Sequence, residues 1–241
     1  MRNPKWQRDE LILTLNLYYN LDSKLFTNTN SKIIELSKQL NSLPIYSQEE
    51  RNLNFRNANG VAMKLSNFMA IDIDNTNRGL SSYSKKDEEI FNEFYGRINE
   101  LKQIANLILN SIQEKEVLIQ LYSIENESDH VMEGSEGGVL YKLHKLRERD
   151  SGLINKKKQK VLKEMGKLEC EVCSFNFYDI YGELGYKFIE CHHIRPLSTY
   201  ESKQKTTLED LALVCSNCHR MLHRNIKDMS IERLKEIINN N

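Results

Sequence analysis

The side chains with the most chemistry in this sequence lie after residue 169. All five cysteines are there, and four form two C-x-x-C pairs, Cys170/Cys173 and Cys215/Cys218, separated by 41 residues. Zinc prefers thiolate and imidazole ligands, and two such knuckles close a four-sulfur tetrahedron with no open position, the structural kind of site. Such a site holds together a segment too small to rely on its core. A mixed site, with a histidine in place of one sulfur, and two incidental pairs are the other readings. Cys191 stands outside the pattern and reads as a small buried hydrophobe. The N-terminus, Met1-Arg2-Asn3-Pro4-Lys5-Trp6, lacks the apolar core of a signal peptide. The cysteines therefore read as metal ligands in a reducing compartment, and the chain is expected to be cytoplasmic.

Four of the six histidines lie among or beside these cysteines: His192, His193, His219 and His223. His219 and His223 are i and i+4, so on a helix they share a face and can grip one ion. His192 and His193 are adjacent, so on a strand they point to opposite sides. A closed four-sulfur site does not need these imidazoles. They are either the ligands of a second ion and a base beside it, or zinc ligands and structural histidines.

The elements that must position these residues divide the chain in two. The first part reads as helical: Asp9 to Asn20, Lys32 to Leu40 capped by Ser31, and a segment around Val61, Leu65 and Phe68 after a turn at Asn59-Gly60. Lys85 to Tyr95 capped by Ser84 and one long amphipathic helix from Ile98 to Ile119 complete it. The second part mixes a basic helix from Lys156 to Met165 with strands at 175–178 and 186–191. Leu208 to Val214 then leads into the second cysteine pair, with helices from Cys218 to Arg224 and Ser230 to Ile238. Between the parts lies the glycine-rich, polar run Glu133 to Gly138, which suits a linker.

Taken together, Cys170-x-x-Cys173, Glu190-Cys191-His192-His193-Ile194-Arg195-Pro196-Leu197 and Leu208 to Cys215-x-x-Cys218-His219-x-x-x-His223 resemble the HNH, or ββα-metal, nuclease domain over about residues 168–225. The two cysteine pairs make it similar to McrA-type modification-dependent restriction endonucleases. Trp6 to Leu13 and Phe55 to Leu65 also look like the N-terminal region of one group of these nucleases. The resemblance implies an α+β chain. A mainly helical domain at 1–130 would read modified DNA. A linker and basic segment at 131–167 would lead to a zinc-stabilised ββα-metal domain at 168–241. It implies that His192, His219 and His223 hold a catalytic magnesium, manganese or nickel ion and that His193 is the general base. A base with a pKa near neutrality can take the proton from an attacking water. Asp210 stands where the family has its middle Asn, whose amide fixes the loop bearing the base histidine. An ionised carboxylate can accept such a bond but cannot donate one. Asp210 does half of that job, another group does it, or Asp210 is only a cap or turn residue.

Charge sets what can grip a nucleic acid. The 241 residues (28.3 kDa, mean hydropathy −0.59) carry 34 basic and 34 acidic side chains, which excludes a uniformly basic coat. Residues 1–130 hold 15 basic and 18 acidic side chains, whereas 141–167 hold ten basic against three acidic. Lys156, Lys157, Lys158 and Lys160 in this basic stretch are candidate phosphate contacts, as are Arg195, Arg220 and Arg224 beside the histidines. A solvated charged helix is the other reading of the lysines. In the acidic N-terminal part, Trp6, Tyr18, Tyr19, Phe55, Arg56, Phe68, Arg78 and Tyr83 are available for stacking or polar contacts, and each is also an ordinary core or surface residue. The implied substrate is double-stranded DNA carrying modified cytosine or a phosphorothioate. A double-strand cut by one active site per chain suggests a homodimer. A zinc-dependent DNA-binding module without catalysis and an HNH nickase of a mobile element are the alternatives. No apolar run reaches the roughly 18 residues of a membrane span.

Overall fold

A computed structural model describes residues 3–75, 82–123, 138–148, 151–194, 206–224 and 229–240. Arg78, Arg195 and the glycine-rich run at 133–137 lie outside them. The chain divides into two compact units: Met1–Asn126 with Gly137–Leu140, and Glu127–Glu136 with Tyr141–Asn241. No described helix is long and apolar enough to cross a membrane.

The first unit is built around α1 (Arg8–Tyr19), which buries nine of its twelve residues. A helix buried on nearly every side needs neighbours all round, and α2 (Ser31–Ser42), α3 (Ala58–Ile71), α4 (Lys85–Phe94) and α5 (Ile98–Gln113) supply them. Leu11, Ile12, Leu15, Ile33, Leu65, Phe68, Phe94 and Ile108 form its core. α6 (Lys115–Ser123) follows α5.

Several local expectations shift. The cap of α2 is Asn30, whose side chain accepts from the Lys32 N–H, and not Ser31. Asn59-Gly60 is no turn. It lies in the first turn of α3, because Asn57 caps that helix by accepting the Gly60 N–H at 2.8 Å. The single helix expected over 98–119 is two, broken at Glu114, which adopts an extended ψ of 103°. The apolar stripe of α5 is interrupted there by the polar run Gln113 to Glu116. Ser84 does cap α4, in a reciprocal box with Asp87.

In the second unit, α7 (Gly138–Glu148, its last eight residues in this unit) and α8 (Ser151–Met165) precede the first knuckle. The strand expected at 175–178 is absent. Phe177–Tyr181 is instead a short helix, α9, capped by Asn176. The expected strand at 186–191 begins only at Glu190, after a 3₁₀ turn at Gly182–Gly185. The aromatic rings here pack on one another, Phe177 against Phe175 and Phe188 with centroids 4.9 and 4.7 Å away. Gly185 is required by that packing, since a Cβ there would sit 2.1 Å from the Phe177 carbonyl oxygen.

β1 (Glu190–His193) pairs antiparallel with β2 (Leu211–Val214), and α10 (Ser216–Arg224) and α11 (Ile231–Asn239) follow. The register sets Glu190 opposite Val214, Cys191 opposite Leu213, His192 opposite Ala212 and His193 opposite Leu211. The hairpin separates two small cores. Ala212 and Val214 pack with the knuckle cysteines, Leu222, Ile231 and Leu234. Cys191, Leu211 and Leu213 pack with Leu168, Ile189 and the apolar side of α8, including Leu153, Ile154 and Leu162. The architecture is α+β, mostly helical with one two-stranded sheet.

Candidate metal centres

The four knuckle cysteines converge. Their sulfurs all lie within 4.8 Å of one another, and Cys173 Sγ is 3.7 Å from Cys215 Sγ. Zinc–sulfur bonds of about 2.3 Å place tetrahedral sulfurs ~3.8 Å apart, so the cluster fits zinc. All four are free thiols. The backbone builds each knuckle locally. Cys170 O accepts from Ser174 N, with Ser174 in the left-handed region at φ 60°, and Cys215 O accepts from His219 N. The first knuckle is stitched to the second through Glu171, whose N–H donates to Leu213 O and whose carboxylate accepts from Leu213 N, both at 2.7 Å. Burial pushes the Cys173 and Cys218 thiols up, Cys218 furthest. Burial acts on Cys170 too, but backbone donors at Cys215, Cys173 and Val172 outweigh it and bring that thiol down. Because the thiolate is the ligand, metal binding by these cysteines would release protons.

A second group lies apart from the sulfurs. Ring nitrogens of His192, His219 and His223 also come within 4.8 Å of one another, and His219 Nε2 is 2.9 Å from His223 Nε2. Nitrogens sharing an ion at about 2.1 Å lie ~3.0–3.4 Å apart, so this set too fits a divalent ion. Two turns of α10 present His219 and His223, and β1 presents the buried His192 from the same side of the hairpin as Ala212. The Tyr141 ring stands perpendicular to that of His223 at 6.1 Å, a neighbour with no signal in the sequence.

His193 is not in this group. Strand alternation puts it on the other face, opposite Leu211, and it is buried. The end of its strand is held by the Ile194 N–H, which donates to the Asp210 carbonyl oxygen at 2.9 Å. The Asp210 carboxylate accepts from Thr207 N and Oγ1, boxing the 3₁₀ turn Leu208–Asp210.

Residues 170–225 match the HNH endonuclease family. That span contains both clusters, and it supports a nuclease acting on DNA. No curated protein and no solved structure matches the chain.

Around the HNH domain, Arg220 and Arg224 are exposed on α10, one position past His219 and His223 respectively. Lys156 is exposed on α8. The other three lysines have partners within the protein. Lys157 lies 4.0 Å from Glu171, Lys160 lies 3.4 Å from Glu209, and Lys158 Nζ donates to Lys187 O.

In the first unit, most of the residues considered as readers are structural. Tyr18, Phe55, Arg56 and Phe68 are buried. The Tyr18 phenol donates to Asp72, and burial together with that carboxylate pushes its pKa up. Tyr19 stacks on Phe91. The two stretches resembling the N-terminal region meet each other. Arg56 Nε and Nη2 donate to the Glu10 carboxylate, its guanidinium lies 4.5 Å from both the Trp6 and Phe55 rings, and its φ is 42°. Half-buried Trp6 also lines an open cavity of about 770 Å³ with Asn3, Lys5, Asn52, Asn54 and Gly60. Tyr83 is exposed.

Two residues beside the imidazoles carried no role in the sequence reading. Glu190 Oε2 lies 2.5 Å from His219 Nδ1, and Glu190 Oε1 accepts from the Ser216 hydroxyl. The i, i+2 spacing of Glu190 and His192, which shares a strand face, was the available signal.

Proposed function

We propose that the protein is a metal-dependent DNA endonuclease of a restriction system, its first unit selecting modified DNA and its HNH domain hydrolysing the phosphodiester. The observation that carries this reading is the pairing, inside one HNH match, of a closed four-sulfur cluster with a separate set of three imidazoles. A zinc-dependent DNA binder has no use for the second set. Cys170, Cys173, Cys215 and Cys218 would hold zinc, and His192, His219 and His223 would hold magnesium, manganese or nickel. When bound, the second ion would stabilise charge on the phosphate and the leaving oxygen. Neutral imidazoles hold a cation without cancelling its charge. His193 takes a proton from the attacking water in this reading, with the Asp210 carbonyl holding the end of its strand. Arg220 and Arg224 clamp flanking phosphates.

Modified cytosine and phosphorothioate remain the two targets of the first unit. The test is digestion of plasmid carrying methylcytosine, hydroxymethylcytosine, phosphorothioate or no modification, with each of the three metals. Cutting confined to one modified substrate, and lost by at least about 100-fold in folded His193→Ala, as removing a general base predicts, is the expected result. Full-rate cutting by that variant removes the base assignment. No cutting of any substrate by the wild type removes the restriction role.

A further inference from the structure

We propose that Glu190 is a positioning residue for the imidazole cluster, and that Ser216 couples it to the zinc knuckle. The inference rests on the reading of His192, His219 and His223 as a metal site and adds the group that prepares it. An ionised carboxylate can only accept hydrogen bonds. Its contact with His219 Nδ1 therefore assigns the ring proton to Nδ1 and leaves the lone pair on Nε2. Nε2 is the atom that lies 2.9 Å from His223 Nε2, inside the convergent set. A neutral imidazole free to exchange tautomers would spend part of its time with a proton where the ion belongs. Metal-binding histidines are commonly fixed by such a carboxylate, which also raises the basicity of the ligating nitrogen.

The second carboxylate oxygen is equally engaged. It accepts from Ser216 Oγ, and Ser216 is the residue after Cys215, at the first position of α10. The chain from sulfur cluster to imidazoles is thus continuous: Cys215, the adjoining Ser216 hydroxyl, the Glu190 carboxylate and the His219 ring. Glu190 stands on β1 opposite Val214. The same contact therefore ties the strand bearing His192 to the helix bearing His219 and His223. Closing the four-sulfur site fixes the start of α10, and Glu190 passes that placement to the histidine ring.

The experiment uses the full chain, loaded with zinc and otherwise free of metal, as wild type, Glu190→Gln, Glu190→Ala, Ser216→Ala and a His219→Ala control. Manganese binding is followed by electron paramagnetic resonance. Histidine tautomers are read from imidazole ¹⁵N shifts under mildly alkaline conditions. Wild type is expected to bind manganese at the imidazoles and to show His219 protonated at Nδ1. Removing the carboxylate should raise the manganese Kd about 10- to 100-fold, more for Ala than for Gln. It should also mix the His219 tautomers, with zinc content and circular dichroism unchanged. Ser216→Ala should move both readouts in the same direction and by less. Variants at Glu190 that keep the wild-type Kd and the Nδ1–H tautomer overturn the proposal. Should Glu190→Ala fail to retain zinc, the near-isosteric Glu190→Gln and Ser216→Ala decide. A wild type that takes no manganese yet holds His219 as the Nδ1–H tautomer through Glu190 defeats the metal-site reading but leaves the positioning role standing.

Discussion

At the scale of single residues, the first unit is organised by buried charges that satisfy one another. Arg56 and Glu10 are 3% and 1% exposed in their side chains, and Lys64 and Asp87 are 9% and 0%. A buried pair contributes little net stability compared with an apolar pair, but losing one partner leaves an uncompensated charge in a poorly polarisable surrounding. Among the described residues, the Arg56 guanidinium would keep the carbonyls of Pro4 and Lys5 and the ring faces around it. Glu10→Ala should therefore cost about 3–5 kcal/mol in urea unfolding. Adding Arg56→Met should recover part of that loss, because the two side chains belong to one interaction. Additive losses in the double variant would mean that the pair is not coupled. The same geometry explains why Arg56 makes a poor DNA reader: its donors are already spent on the fold.

At the scale of elements, the second unit has too little apolar material on either side of its hairpin to stand without the sulfur cluster. One core is built from the cysteines themselves with Val214, Leu222, Ile231 and Leu234. With zinc in the four-sulfur cluster as proposed, chelating it, or replacing Cys218 by Ser, should abolish the cooperative unfolding of β1, β2 and α10 while the helices of the first unit melt unchanged. Calorimetry with a chelator checks this, and two transitions that both survive zinc removal would refute it. What was legible in the sequence follows the same division. The cysteine knuckles were readable because a C-x-x-C turn is a local device. The helices were readable because α2, α4 and α5 alternate buried and exposed residues at helical period. Phe175 to Tyr178 misled because aromatic content signals ring packing as much as it signals a strand, and here Phe175 and Phe188 pack edge-on against Phe177 while Tyr178 stays exposed. The break at Glu114 and the caps at Asn30 and Asn57 depend on one or two polar residues, which period-based reading averages away. The contact of Glu190 with His219 joins residues 29 apart and needed the hairpin register to be seen.

At the scale of the whole molecule, net charge is zero, so DNA affinity cannot come from bulk attraction and must come from a small number of exposed cations. The structure ranks them differently from the sequence. The lysine run at 156–160 looked like one phosphate-binding stripe, yet Lys157, Lys158 and Lys160 each have a partner within the second unit. Arg220, Arg224 and Lys156 are exposed. Each phosphate contact releases counterions and adds about 0.9 to the magnitude of the slope of log K against log salt. The double substitution Arg220→Ala/Arg224→Ala should therefore flatten that slope by nearly 2 and weaken binding uniformly across DNA sequences. Lys157→Ala should flatten it by much less, since its ammonium lies 4.0 Å from Glu171 and its side chain is only 15% exposed. Lys160→Ala should fall between, because its pair with Glu209 is exposed and weak and a phosphate can compete for it. Fluorescence anisotropy of a labelled duplex over a salt series, in calcium to prevent cutting, measures all three. A slope unchanged by the arginine pair but collapsed by Lys157→Ala would return the lysine stripe to its place as the DNA contact.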